Sequence, residues 1–115
     1  MTTPADTEGT AFQRLDELEE RELVPGFHVR FVHSETMTVA HWTIDAGSSL
    51  PLHAHPHEQI SQVIEGRFEL TVGDDTRVLD PGLVAVIPSN ASHGGRAITD
   101  CRIIDIFHPV RDDYR

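Results

Sequence analysis

The chain has 115 residues, the size of one domain, and a single cysteine, Cys101, which excludes an intrachain disulfide and a cysteine-rich zinc module and leads us to expect a reducing, cytoplasmic setting. Nine basic side chains, all Arg, stand against nineteen Asp and Glu, giving a formal net charge of −10; such a field repels polyanions, so no nucleic-acid partner is expected. The longest strongly apolar run, Leu83 to Ile87, is far short of the roughly 20 residues of a membrane helix, and Met1 to Thr10 lack the basic and apolar regions of an export signal. The expected protein therefore neither spans a membrane nor is exported.

In chain order, residues 1–10 read as a polar tail. Phe12, Leu15 and Leu18 then recur at helical spacing through RLDELEERE, which predicts one short helix, ended by Pro25-Gly26. Residues 1–26 are thus a tail and short extension, and residues 27–115 the domain proper. From Phe27 the period changes to two: Phe27, Val29 and Phe31 share one face of a strand. Further strands are predicted over Met37 to Ile44, Gln59 to Glu65, Arg67 to Val72, Arg77 to Leu79, Leu83 to Ile87 and Cys101 to Phe107, and turns at Asp45-Ala46-Gly47, Gly66, Gly73-Asp74-Asp75, Asp80-Pro81-Gly82 and Pro88-Ser89-Asn90. Eight or so short strands, spaced with turn residues between them, predict an all-β antiparallel sandwich or barrel in a single domain.

The chemistry concentrates in the segment HAHPHEQ. His53 and His55 are two apart, so an extended backbone points both imidazoles to one face, as chelation of a cation requires. Gln59 enters the next strand and offers an amide oxygen as a third donor; His93, after the Pro88-Ser89-Asn90 turn, offers a fourth from a different strand. A His-x-His pair alone is more often two surface or core histidines, so context decides. His57 and Glu58 read as rim groups after Pro56 breaks the alternation; His28, His33, His41 and His108 read as structural or solvent-facing, His108 adjoining the site through Phe107.

The context is a resemblance. Gly47, five residues, His53-Ala54-His55, three residues, Gln59, six residues, Gly66 is similar to the first motif of the cupins, with Gln in place of the more usual Glu. Gly82, five residues, Pro88-Ser89-Asn90, two residues, His93 resembles their second motif, with Asn90 where Gly is usual and Ala97 where Asn often ends it. The resemblance implies a small jelly-roll β-barrel with one divalent metal ion held by His53, His55, Gln59 and His93; zinc or nickel is expected first, and iron, manganese and copper suit the same donors. A narrower resemblance, from about Phe27 to Arg115, is to the KdgF-type cupins, which ketonize 4,5-unsaturated uronates from pectin or alginate breakdown. It is carried by MTVAHW, HAHPHEQI, LVAVIPSNASH, AITDCRIIDIF and PVRDDYR. It implies an enzyme with Asp105, Phe107 and Arg111 in the catalytic site and a sugar acid as substrate, and cupins generally imply a homodimer, for which the sequence points to no interface residue.

Strand parity bears on Asp105 independently. Cys101, Ile103, Asp105 and Phe107 share one face and Arg102, Ile104 and Ile106 the other, with either face open to being the interior. A carboxylate within RIIDIF is costly to bury unless paired or used. Three neutral imidazoles and a neutral amide leave a divalent ion its full charge, which favours an anionic substrate, and Arg111 offers a fork for its carboxylate. Two other classes fit the same donors: a cupin dioxygenase using iron or copper, told apart by oxygen consumption, and a non-catalytic sugar- or metal-binding module, told apart by unchanged ligand.

Overall fold

The computed structural model describes residues 11–115. Among them ten strands form two antiparallel sheets: β1 (Arg21–Val24), β2 (Phe27–His33), β3 (Thr38–Ile44), β4 (Ser49–His53), β5 (Glu58–Glu65), β6 (Phe68–Val72), β7 (Asp75–Leu79), β8 (Val84–Ile87), β9 (His93–Ala97) and β10 (Cys101–His108). One sheet has six strands in the order β1-β2-β3-β10-β5-β8 and the other four in the order β4-β9-β6-β7. This is the all-β single domain expected from the strand pattern, in the jelly-roll form implied by the cupin resemblance. No helix among the described residues is long and apolar enough to cross a membrane.

Strands β2, β5 and β10 bury alternate residues. Phe27, Val29 and Phe31 of β2 and Val63 of β5 are buried, as is the Cys101, Ile103, Asp105, Phe107 face of β10, which settles the direction parity left open. The core between the sheets joins Phe27, Ile44, Val63, Phe68, Leu79, Ile87 and Ile103, with Phe27 edge-on to both Trp42 and Phe68. Full burial of such side chains stabilises the fold by about 1.5–3 kcal/mol each.

The helix expected from Phe12, Leu15 and Leu18 does not form. Over this segment a single 3-10 turn forms, Leu15–Glu17, with no buried residue, and Arg21–Val24 is instead a strand paired antiparallel with β2. Three apolar positions beside a run of acids provide no face for a helix to bury, whereas the open edge of β2 provides hydrogen-bond partners. Two further strands escape sequence reading because their composition argues against them. Strand β4 contains Pro51, accommodated because β4 is an edge strand whose register shifts between Leu50 and His53. Strand β9 begins His93-Gly94-Gly95. A Cβ on Gly94 would lie 2.8 Å from the Leu50 carbonyl oxygen, and one on Gly95 2.4 Å from that of Glu69, so packing between β4 and β6 demands glycine where strand propensity disfavours it. Asn90, at φ 65°, takes the left-handed conformation that glycine would occupy more cheaply and that Asn tolerates.

Candidate metal centre

Sheet register builds the site. On the four-stranded sheet His53 of β4 pairs directly with His93 of β9, bringing their ring centroids to 4.2 Å, and His55 follows two residues later with its ring 4.8 Å from that of His93. On the facing sheet β10 sits between β3 and β5, so that Phe107 lies beside Gln59 and Asp105 beside Ser61. The two walls enclose a cavity of about 360 Å³ whose lining includes His53, His55, Gln59, His93, Asp105, Phe107 and Arg111. All seven residues singled out from sequence meet there.

The three imidazoles are prepared for a cation. One ring nitrogen from each of His53, His55 and His93 lies within 4.8 Å of the others. Each Nδ1 is tied to a backbone carbonyl: His53 to Pro51 at 3.0 Å, His55 to His57 at 3.0 Å and His93 to Ala91 at 2.9 Å. A carbonyl only accepts, so each Nδ1 carries the proton and each Nε2 presents a lone pair, the tautomer and orientation that ligation needs. The Nε2 of His93 is buried with no hydrogen-bond partner, a costly arrangement for a group facing no ion.

Gln59 completes the argument. Its Nε2 donates to Ser61 Oγ at 3.0 Å, and Ser61 in turn donates to Asp105 Oδ1 at 2.5 Å, which fixes the amide with Oε1 toward His55 Nε2, 3.1 Å away. Two lone pairs then face each other without a proton between them. Protonating His55 would relieve this, but burial, helped by the neighbouring Arg111 guanidinium and His93, holds its pKa down to about 4. His93 is likewise shifted down, chiefly by burial. A cation shared by these donors removes the conflict, so the residues present fit a divalent ion. In metal-free protein the His55 ring should therefore stay neutral at pH 5.5, a unit below the ordinary histidine value and ready for a cation; an NMR titration placing its midpoint near 6.5 would contradict this preparation.

Asp105 is buried in the same wall. Trp42 Nε1 donates to its Oδ2 at 2.9 Å, opposite the Ser61 contact, so each oxygen has a donor. Burial nonetheless outweighs these hydrogen bonds and pushes its pKa up to about 6. Arg111 is buried too, its guanidinium 4.8 Å from the Phe107 ring and 4.2 Å from that of Tyr114. The grip on a substrate carboxylate foreseen for it is narrowed: Nε and Nη2 already hold Asp113, at 3.1 and 2.8 Å, which leaves the Nη1/Nη2 edge. Its backbone N–H donates to Thr38 Oγ1 at 2.8 Å, pinning the C-terminal segment to the start of β3.

Ser61, Trp42 and Tyr114, absent from the sequence reading, also line the cavity. Ser61 was detectable as the polar residue between Gln59 and Val63 on the inward face of β5. His108 lies on the exposed face of β10, while His57 contributes through its carbonyl.

A jelly roll carrying a three-histidine cluster on and just beyond two neighbouring strands of one sheet defines a class, and the comparisons agree with it. Residues 40–107 match the family model described as a cupin domain, and the chain belongs to the cupin family. It is 33% identical over 98 residues, covering 84% of this chain and 93% of the relative, to an uncharacterised protein of Streptomyces coelicolor. Among solved structures it is similar to KdgF from a Halomonas species, with 31% identity, a TM-score of 0.85 and coverage of 91% of this chain and 100% of the other, which makes it a cupin of KdgF type. An RmlC-like cupin from Shewanella frigidimarina matches with 27% identity, TM-score 0.86 and coverage of 93% and 97%. Oxalate decarboxylase of Bacillus subtilis, 20% identical and covered over 28% of its length against 83% of this chain, shares the fold at a TM-score of 0.75.

Proposed function

We propose that the protein is a metal-dependent enzyme that opens and ketonizes 4,5-unsaturated monouronates from pectin or alginate breakdown. The observation that carries this reading is the buried carboxylate of Asp105, joined through Ser61 to Gln59 in the cavity that holds the three histidines and Arg111. In such a sugar the ring oxygen belongs both to a hemiacetal at C1 and to an enol ether at C5. Asp105 removes the proton of the C1 hydroxyl; the C1–O bond to the ring oxygen breaks, leaving an aldehyde at C1 and an enol oxygen on C5. The same carboxylate returns the proton to C4, so the C4–C5 double bond becomes a ketone at C5 with no net change in composition and no oxidant.

The other groups have complementary tasks. A divalent ion held by His53, His55, Gln59 and His93 supplies Lewis-acid stabilisation of oxyanionic charge. Arg111 receives the sugar carboxylate on its Nη1/Nη2 edge, its position fixed by Asp113 and by the Phe107 and Tyr114 rings. Phe107 lies against the sugar face. Ser61 and Trp42 hold the two oxygens of Asp105 so that the carboxylate need not reorient between removing and returning the proton.

The test follows the ultraviolet absorbance of 4,5-unsaturated galacturonate with purified protein, against the spontaneous rate. Loss of absorbance should accelerate, should require the metal and should be indifferent to oxygen. Metal-loaded protein that leaves the rate unchanged would overturn the assignment in favour of a binding module, and turnover that consumes oxygen would turn it into an oxygenase.

A further inference from the structure

One lateral row of the six-stranded sheet joins the metal site to two polar side chains that the proposed reaction does not use. His33 of β2 pairs with Thr38 of β3, Thr38 with Phe107 of β10, and Phe107 with Gln59 of β5. Residues directly opposite one another on adjacent strands share a face, so Thr38 stands on the cavity side of the sheet beside Phe107. It is 0% exposed. A hydroxyl buried to that degree needs partners for both its lone pairs and its proton.

Thr38 has both. Its Oγ1 accepts the backbone N–H of Arg111 at 2.8 Å and lies 2.8 Å from Nδ1 of His33. Burial leaves no water to take the hydroxyl proton, so Thr38 donates it to Nδ1 and the ring proton of His33 sits on Nε2. Burial also lowers the pKa of His33, which keeps the ring neutral and Nδ1 an acceptor. The chain of donors therefore runs in one direction, from the Arg111 N–H through Thr38 to His33.

The place of this contact gives it a function. Asp113 and Tyr114 hold the Arg111 guanidinium, but they belong to the same C-terminal segment and move with it. The backbone hydrogen bonds of that segment, Asp112 to Val110, Tyr114 to Arg111 and Arg115 to Asp112, are likewise internal. They shape the segment without fixing it against the metal site. Thr38 joins its backbone to the sheet, and does so at Arg111 itself. Neighbouring residues of β2 and the turn after it add weaker holds: Phe31 stacks on Tyr114 with centroids 4.5 Å apart, and the Ser34 carbonyl accepts from Arg115 Nη2 at 3.3 Å.

We propose that Thr38, oriented by His33, is the positioning residue for substrate carboxylate recognition: its hydroxyl anchors Arg111 so that the free guanidinium edge faces the cavity at a fixed distance from the metal donors. The inference rests on the reading of Arg111 as the receptor for a sugar carboxylate. Without the anchor the segment spends only part of its time in place, and affinity for the carboxylate falls by that fraction.

The zinc-loaded full chain tests this as wild type, as Thr38→Val, which keeps the shape and loses the hydroxyl, and as Thr38→Ser, which keeps the hydroxyl. Galacturonate carries the carboxylate but has no C4–C5 double bond to ketonize, so its binding is independent of turnover. Isothermal titration should show its affinity weakened by roughly tenfold or more in Thr38→Val and restored to within about twofold of wild type in Thr38→Ser. With the unsaturated uronate, Thr38→Val should raise KM by a similar factor and leave kcat near wild type, the signature of binding lost equally from ground and transition states. Unchanged zinc uptake reports an intact fold. Should Thr38→Val not fold, His33→Phe, at a half-buried position, removes only the acceptor and should weaken galacturonate by about threefold or more. Wild-type affinity in the folded variant, a loss that Thr38→Ser does not restore, an effect confined to kcat, or a wild type that does not bind galacturonate overturns the proposal. A wild type that binds galacturonate with the expected dependence on Thr38, yet leaves the unsaturated sugar unchanged, fails the enzymatic reading alone.

Discussion

Asp105→Asn should lower kcat on the unsaturated uronate by roughly 10²–10⁴-fold, the usual contribution of a positioned acid-base group, while metal content stays at the wild-type level. The amide keeps an oxygen to accept from Trp42 and keeps the volume of the side chain, but it has no basicity with which to take the C1 proton. Two further readouts separate a proton carrier from a buried structural carboxylate. In wild type, kcat/KM should rise with pH as Asp105 ionises, with an apparent midpoint at or below about 6, since burial raises the pKa to about 6 and a bound cation draws it back down. In stability the sign is opposite. The folded-state pKa lies above the unfolded value of 3.8, so the carboxyl favours folding fully below that value and loses this advantage as pH rises through about 6. Metal-free wild type should therefore lose about 3 kcal/mol relative to the Asn variant between pH 3 and pH 7, measurable by urea unfolding at each pH. Retained turnover in the Asn variant would remove Asp105 from the reaction, whatever its effect on stability.

What could be seen in the sequence follows from which forces are local. Alternation in β2 and β10 is a local pattern, and it placed Phe27, Val29 and Phe31 on one face and Ile103 and Asp105 on another before their partners were known. The metal donors were legible because His53 and His55 share a short motif, and His93 because the second motif fixes its distance from a turn. Strands β4 and β9 were not legible: their Pro51, Gly94 and Gly95 make sense only against neighbouring backbone that sequence spacing does not reveal. The same holds within the site. The network from Gln59 through Ser61 to Asp105 crosses from β5 to β10, separated by 44 positions between Ser61 and Asp105. Its existence depends on register, which parity alone does not determine. Asp113 lies two residues from Arg111, yet its hold on the guanidinium depends on the closing turn Asp112–Tyr114.

Gln59→Glu tests that network from its other end. Glutamate is the commoner donor at this motif position, so on ligation grounds alone the change is conservative, and one added negative charge should tighten zinc by about tenfold or more in competition with a chelator. The rest of the site opposes it. Gln59 now donates to Ser61 and leaves the Ser61 hydroxyl proton for Asp105. A glutamate there has no proton to give, and the single proton of Ser61 would be contested by two carboxylates, one of them already buried. Like charge on both sides of one hydroxyl raises the pKa of Asp105 further, so the rising limb of the pH profile should move up by about one unit or more. The added charge also cancels half of the cation's attraction for a sugar carboxylate. At an effective dielectric constant of about 20, a unit charge about 4 Å away is worth about 4 kcal/mol, and even a partial loss corresponds to a drop in kcat/KM of roughly 10–100-fold. Tighter zinc together with slower turnover and a displaced pH profile would establish that the amide is matched to this site's anion and to Asp105. Tighter zinc with an unchanged profile would show that Asp105 is organised by Trp42 and Ser61 alone, leaving Gln59 solely as a metal donor.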